Sequence, residues 1–370
     1  MAIQKISIDQ FLSFSKDHPV FDVRSPAEFL HAHIPFAYNL PLFNNEERKI
    51  VGTTYKQQSR QQAIKVGLDF LGVKMRKMVE EVEEIILGCQ LPFTGNPQPV
   101  TKTVLVHCWR GGMRSTALAW LLDLYGYKVY TLARGYKAFR NWVLRQFEKP
   151  CNFKILGGYT GSGKTILIEE LQRLGQPVIN LEALANHKGS AFGALGEKPQ
   201  PSQEMFENLL ALELFSKASY IGEDNPEDTV ERGYEGAWME DESQRIGKLN
   251  IPKSIWDKMR NSPVYFIDIP FEQRLDYLVK TYGTLEKEEL ANAIIRIQKR
   301  LGSLETKNAI NYLLENNIEE CFSILLKYYD KCYSKGLHNR INLDDLLNKI
   351  PCESVSINNI NQLYLLQNKV

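Results

Sequence analysis

Gly158-Tyr159-Thr160-Gly161-Ser162-Gly163-Lys164-Thr165 stands between an apolar run, Phe153–Gly157, and a segment with helical spacing, Lys164–Arg173. Strand, glycine-rich turn and helix form the context in which G-x-x-x-x-G-K-[ST] cradles phosphate. The glycines let the backbone curl until successive N–H groups face inward. The helix N-terminus adds partial positive charge, and Lys164 adds a full one. Gly158, Gly161, Ser162, Gly163, Lys164 and Thr165 are therefore read as a site for a di- or triphosphate. Thr165 would hold Mg2+ if a metal comes with the phosphates, with Asp268 as the carboxylate on the metal side. The motif fixes the phosphates and leaves the rest of the ligand open.

Outward from this loop the chain alternates strand and helix. Downstream, Val178–Leu181 predicts a strand ended by Glu182, Val264–Asp268 a second strand, and Phe271–Tyr282 a helix. More helices are expected from about Lys287 to Lys335, and the acidic, turn-rich Glu223–Glu235 predicts a mobile loop. Upstream, Val20–Val23 reads as a buried strand and Pro26–His31 as a short helix capped by Ser25. His33-Ile34-Pro35 and Asn39-Leu40-Pro41 read as turn and edge segments. Helical periodicity follows near Thr54–Phe70 and Val73–Leu87, then a Pro/Gly-rich loop, Pro92–Pro99. Strand Val104–His107, helix Ser115–Tyr125, strand Lys128–Thr131 and helix Tyr136–Phe147 complete the first half. The pattern restarts near Pro150. It predicts an α/β protein of two domains, residues 1–148 and 149–370, built on parallel sheets.

Composition agrees with two cores. Of 370 residues, 44% are hydrophobic, 24% charged and 11% aromatic, so neither half is a disordered tail. The net charge of +1 divides unevenly, as +7 over residues 1–150 and −6 over the remainder. A mildly basic front half is compatible with a phosphate-rich partner without demanding one. No run approaches about 18 apolar residues, and Met1–Gln10 lacks a signal peptide's basic-then-apolar order, so no membrane partner is expected. Cys89, Cys108, Cys151, Cys321, Cys332 and Cys352 show no CxxC spacing. That argues against a zinc site or disulfide scaffold, and for a reducing cytoplasm in which one thiol is chemical.

The candidate thiol is Cys108, in His107-Cys108-Trp109-Arg110-Gly111-Gly112-Met113-Arg114-Ser115, again between strand and helix. Loop N–H groups, a helix N-terminus, and Arg110 and Arg114 all favour thiolate over thiol and welcome an anion. Two chemistries fit. Cysteine phosphatases space His-Cys, five residues, Arg and Ser/Thr in this way; rhodanese-like sulfurtransferases use a similar loop, usually one residue shorter, to carry sulfur as a persulfide. The surroundings arbitrate. Phe21-Asp22-Val23-Arg24-Ser25-Pro26-Ala27-Glu28-Phe29 and His33-Ile34-Pro35-Phe36-Ala37-Tyr38-Asn39-Leu40-Pro41 resemble the rhodanese signature. Asp22 and Arg24 are read there as a fold-fixing ion pair.

A rhodanese-like domain ahead of a P-loop NTPase-like domain with C-terminal helices resembles one family, tRNA 2-selenouridine synthase. Smaller stretches match it too: Gly52–Gln57, Leu181–Gly193, Glu240–Lys248, and Tyr328-Tyr329-Asp330 followed by Tyr333. The resemblance runs in order from about residue 18 to 335. It implies geranylation of the sulfur of 2-thiouridine at the tRNA wobble position by geranyl diphosphate. Selenium from selenophosphate then replaces that sulfur. Under the resemblance Cys108 carries selenium as a selenopersulfide, an S-selanylcysteine, with Arg110 and Arg114 holding selenophosphate. The phosphate loop grips the diphosphate. Glu182, Asn186, His187, Arg245 and Lys248, with Lys56 and Arg60 of the insert after the rhodanese signature, become candidates for substrate or tRNA contact. No tightly bound cofactor is expected beyond Mg2+ if the diphosphate brings it, and a monomer is the expected state.

Other readings fit the same residues. A sulfurtransferase fused to an ATP-dependent kinase would place ATP in the phosphate loop. A cysteine phosphatase fused to a nucleotide-sensing domain would use Cys108 as its nucleophile. A tRNA-binding scaffold with vestigial motifs is disfavoured, because both motifs retain their reactive side chains.

Overall fold

The computed structural model describes residues 3–88, 102–217 and 236–367. The chain divides into two compact units, Met1–Arg145 and Gln146–Val370, three residues ahead of the boundary expected from the sequence.

The first unit runs β1 (Gln4–Ile6), α1 (Ile8–Phe14), β2 (Val20–Asp22), α2 (Pro26–His31), β3 (Ala37–Asn39), α3 (Asn45–Gln57), α4 (Arg60–Gly72), α5 (Met75–Gly88), β4 (Thr103–His107), α6 (Met113–Tyr125), β5 (Lys128–Leu132) and α7 (Tyr136–Glu148). Its five strands pair in the order β1-β5-β4-β2-β3, all parallel. Every residue of β2, and four of five in β4, is buried, as expected where helices cover both faces. Phe21, Val104, Val106, Leu118 and Leu122 form the middle of that core. The helical stretch expected over Thr54–Phe70 is two helices. The chain breaks at Gln58-Ser59, where the Ser59 side chain accepts the N–H of Gln62 and opens α4.

The second unit runs β6 (Phe153–Gly158), α8 (Lys164–Arg173), α9 (Leu181–Ala185), α10 (Gln203–Lys217), β7 (Ala237–Glu240), β8 (Arg245–Ile246), β9 (Leu249–Asn250), α11 (Lys253–Arg260), β10 (Val264–Asp268), α12 (Phe271–Tyr282), α13 (Lys287–Leu301), α14 (Ser303–Leu314), α15 (Ile318–His338), α16 (Leu343–Leu346), β11 (Leu347–Pro351) and α17 (Ile360–Gln367). A parallel sheet of order β11-β10-β6-β7 puts β6, which feeds the phosphate loop, between two neighbours. A second core lies among α12 to α15, around Leu290, Ile294, Leu313, Phe322 and Leu326.

The segment Val178–Leu181, expected as a strand, is not one. Val178 alone bridges to Trp238, and the Asn180 side chain accepts the N–H of Ala183, which starts α9. Glu182 consequently sits in the first turn of a helix. The loops expected at Pro92–Pro99 and Glu223–Glu235, and Cys89, lie outside the described residues. No helix among the described residues is long and apolar enough to cross a membrane.

Candidate active site

Two chemical loops follow the ends of two parallel strands, one in each unit. In the first unit β4 delivers Cys108, which is 3% exposed. The Gly112 N–H donates to its sulfur at 3.3 Å, and Ser115 Oγ lies 3.2 Å from the same atom. That hydroxyl has one proton and also reaches the Gly112 carbonyl at 3.0 Å. With a thiol, S–H donates to Oγ and the hydroxyl turns to the carbonyl; with a thiolate, the hydroxyl can turn to sulfur. Ser115 therefore serves either protonation state.

The loop is braced from α7. The N–H groups of Tyr136 and Lys137 donate to the carbonyls of Cys108 at 2.8 Å and Trp109 at 3.1 Å. This contact requires Gly135, whose φ is +57° and where a Cβ would collide with the Cys108 carbonyl and the Gly111 and Arg110 nitrogens. Of the two arginines, Arg110 is exposed. Arg114 is bound by Glu28 at 2.7 Å, an interaction that holds the Glu28 carboxyl below its usual range against the upward push of burial. Beneath the loop Asp22 and Arg24 form the expected ion pair, 2.6 Å apart and almost fully buried. Burial pushes the Asp22 carboxyl up, yet His107 and Arg24 bring it below the ordinary carboxylate range. His107 itself is driven by burial down to about 4, so at neutral pH its ring is uncharged and Arg24 is the operative partner.

Lys56 is exposed at the last turn of α3. Arg60, opening α4, is exposed with its guanidinium 3.9 Å from the sulfur of Met113, beside the cysteine loop. The fold thus brings Arg60 to the loop's helix.

In the second unit the Lys164 ammonium donates to the Gly158 carbonyl at 2.8 Å. Gly161 and Gly163 take φ values of +81° and +77°, the left-handed backbone that the curl of the loop needs. Ser162 Oγ is buried with no hydrogen-bond partner among the described residues. Thr165 Oγ1 lies 3.3 Å from Glu182 Oε2 and donates to it. From α12, Arg274 pairs with Asp330 at 2.8 Å and donates to the Thr160 carbonyl at 3.0 Å. The loop opens on a cavity of about 700 Å3, lined in part by Lys164, Thr165, Glu182, Asp241 and Glu242.

Glu240 and Glu242, with Glu182, form a carboxyl cluster beside Lys164 that motif reading did not find. Glu242 is pushed up to about 8, by burial first and then by repulsion from Glu182, despite the attraction of Lys164. Glu240 rises for the same reasons, and burial raises Glu182 as well. The signal available in sequence was Glu240 at the end of an apolar strand, the place already given to Asp268. Asp268 is not among the residues lining the cavity; its carbonyl accepts the Cys352 N–H at 2.9 Å. Among the described residues no group of three or more His, Cys, Asp and Glu side chains is arranged to hold a metal ion.

The remaining candidates lie apart from the cavity lining. Asn186 takes a left-handed φ of 49° at the end of α9, and its amide donates to the Pro199 carbonyl at 3.1 Å. The His187 ring is buried against Gly193 and Gly247, and burial lowers its pKa. Arg245 and Lys248 are exposed on the β8–β9 hairpin, where Arg245 Nε donates to the Gly247 carbonyl at 3.0 Å.

Comparison with known proteins matches both units. Residues 151–343 fit the family model of the tRNA 2-selenouridine synthase AAA domain, and residues 7–141 fit the rhodanese-like domain. A tRNA 2-selenouridine synthase of Sulfurovum sp. is 33% identical over 347 residues, 85% of this chain and 87% of its own. One of Bdellovibrio bacteriovorus is 36% identical over 386 residues, 92% and 94% of the two chains. One of Nitrosomonas europaea is 36% identical over 284 residues, 75% and 67% of the two chains.

Proposed function

Because this chain belongs to the tRNA 2-selenouridine synthase family, we propose that it is the enzyme that geranylates 2-thiouridine at the tRNA wobble position and then exchanges the geranylated sulfur for selenium. Geranyl diphosphate and selenophosphate are the donors in this reading, and the cytoplasm is where it acts. In the first step the thiocarbonyl sulfur forms a bond to C1 of the geranyl group. The C1–O bond breaks, diphosphate leaves, and the proton of uridine N3 is released. In the second step a selenium nucleophile adds at C2 of the base and geranyl thiol departs. The order follows from leaving-group chemistry: a thiocarbonyl sulfur leaves poorly, whereas an S-alkyl isothiouridine loses its thiol readily.

The observation that supports the reading is that one chain joins two loops suited to the two steps. Lys164 and the helix N-terminus that follows the phosphate loop meet the charge that grows on diphosphate as it departs. Cys108, seated under the Gly112 N–H with Ser115 beside it, attacks the selenium of the donor. The S–Se bond forms, and the Se–P bond breaks with its electron pair left on phosphorus. An external thiol that attacks the Cys108 sulfur of the selenopersulfide releases the selenide that adds at C2. Arg110 and Arg114 hold the anionic donor. The test is mass spectrometry of nucleosides from 2-thiouridine tRNA incubated with the protein and geranyl diphosphate, then selenophosphate. S-geranyl-2-thiouridine followed by 2-selenouridine is expected. ATP hydrolysis with neither nucleoside formed would put the kinase reading in its place.

A further inference from the structure

The cavity beside the phosphate loop has a second part unlike its first. On α15, Phe322, Leu326, Tyr329 and Tyr333 recur at steps of four, three and four, which places them on one helix face. On α12, Leu278 and Tyr282 face the same space. Both stripes begin at the phosphate loop. The Gly158 N–H donates to the Tyr333 hydroxyl at 3.1 Å, and a Cβ added at Gly161 would stand 3.0 Å from Leu278 Cγ. At the far end Phe322 and Leu326 are 5% and 1% exposed and belong to the helical core. The cavity therefore has a charged mouth and an apolar wall that ends in packed carbon.

We infer that this wall seats the prenyl chain and that α15 measures its length, an inference that rests on the proposed geranyl transfer. With the diphosphate on Lys164, the hydrocarbon leaves the loop past Leu278 and runs from Tyr333 toward Leu326. At about 1.5 Å of rise per residue, Leu326 lies roughly 10 Å and Phe322 roughly 16 Å along the axis from Tyr333. The shorter distance is the reach of an extended ten-carbon chain. A third isoprene unit would have to pass Leu326 and meet Phe322. The stretch at Leu278, Leu326 and Phe322 offers a ligand no hydrogen bond, in contrast to Gln244, Arg260 and Arg300 elsewhere in the lining. The volume, about 700 Å3, is within the range of small-ligand sites.

The test compares dimethylallyl, geranyl and farnesyl diphosphates as donors to 2-thiouridine in a tRNA anticodon stem-loop, using the full chain. The intact protein is expected to favour geranyl. Leu326→Ala shortens the wall and should move the kcat/KM ratio toward farnesyl by about tenfold or more, the discrimination that one or two methylenes carry in an apolar pocket. Leu326 is buried, so Leu278→Phe, which fills the cavity beside the loop, serves as a second variant and should shift preference toward dimethylallyl. A thermal shift with inorganic pyrophosphate reports an intact phosphate loop in each. Unchanged donor ratios in both variants, with pyrophosphate still bound, would overturn the inference while geranyl transfer stands. Absence of any prenyl transfer by the intact protein would overturn the underlying reading instead.

Discussion

Tyr333 donates its hydroxyl proton to Asp241 at 2.6 Å, and the same oxygen accepts the N–H of Gly158 at 3.1 Å. A residue of the C-terminal helical region thereby fixes the last residue of the strand that feeds the phosphate loop. Asp241 is held from its other side by Arg340 at 2.6 Å. Burial, then the Asp241 carboxylate, push the phenol well above its usual range, so it remains a donor at neutral pH. Tyr333→Phe strands the Gly158 N–H and removes a donor from Asp241. A loss of about 1–3 kcal/mol is expected in denaturant unfolding of the second domain, with weaker pyrophosphate binding. Unfolding unchanged within error would show that the hydroxyl does not brace the loop.

Beneath the cysteine loop, Arg24 has no water to fall back on. Its guanidinium pairs with Asp22, donates to the Ala32 carbonyl at 2.8 Å and lies 3.9 Å from the Tyr136 ring centroid. Asp22→Leu leaves that charge uncompensated in a buried site, which costs about 3–5 kcal/mol. An Asp22→Leu/Arg24→Met double variant should regain most of the loss. Urea midpoints of Asp22→Leu, Arg24→Met and the double variant measure the coupling, and simple additivity of the two changes would refute it.

The two loops should fail separately. Cys108→Ser is expected to abolish 2-selenouridine while S-geranyl-2-thiouridine still accumulates, because in the proposed scheme the tRNA sulfur is the nucleophile in alkylation. Lys164→Ala should slow geranylation by about 10²–10³-fold, the usual effect of removing a group that meets developing charge. Supplying pre-geranylated tRNA should restore selenation to the Lys164 variant and not to the Cys108 variant. Selenation by Cys108→Ser at the intact protein's rate would remove the selenopersulfide from the scheme.

Both loops were legible in sequence because each is a local word whose geometry its own glycines enforce. The parallel sheets were legible for a related reason: fully buried strands such as Val104–His107 read as unbroken apolar runs. What escaped depends on distant partners. A four-residue segment with three apolar side chains cannot tell strand from helix, so Val178–Leu181 turned on whether Asn180 would cap, which it does. Gly135 is an ordinary turn glycine until α7 lays its backbone on the Cys108 carbonyl. Glu240 and Glu242 gain meaning only when β7 aligns with β6, more than eighty residues away in the chain. Tyr333 reaches Gly158 across 175 residues, a contact no spacing rule contains.

The carboxyl cluster predicts a pH dependence with a definite sign. The Glu242 carboxyl titrates at about 8 in the fold against an ordinary value of 4.5. Between those values the folded state binds more protons than the unfolded chain, so stability falls as pH rises through that window. It is greatest below 4.5 as far as this group is concerned, and the penalty is complete above about 8. Glu242→Gln keeps the shape and cannot ionise. Its melting temperature relative to the unaltered protein should therefore rise progressively from pH 5 to pH 9, both ends being about the width of that window. A constant difference across the range would show that Glu242 is ionised throughout.

The insert between the rhodanese signature and the cysteine loop is where tRNA contact should be measurable. α3 and α4 carry Lys49, Lys56, Arg60 and Lys65, all exposed, and Arg60 stands beside Met113 at the rim of the cysteine loop. These cations lie in the half of the chain with net charge +7, and Arg60 is the one a phosphate backbone approaching Cys108 would meet first. Each phosphate contact releases counterions, and log affinity should fall against log salt with a slope of roughly −0.7 to −0.9 per contact. Lys56→Ala should weaken binding evenly across tRNA sequences, because a phosphate contact carries no base information. A Lys56→Ala/Arg60→Ala double variant should flatten the slope by about two contacts. Filter-binding titrations over several salt concentrations decide the matter. An unchanged slope would leave α3 and α4 as solvated surface and move the footprint to Arg245 and Lys248 on the exposed β8–β9 hairpin.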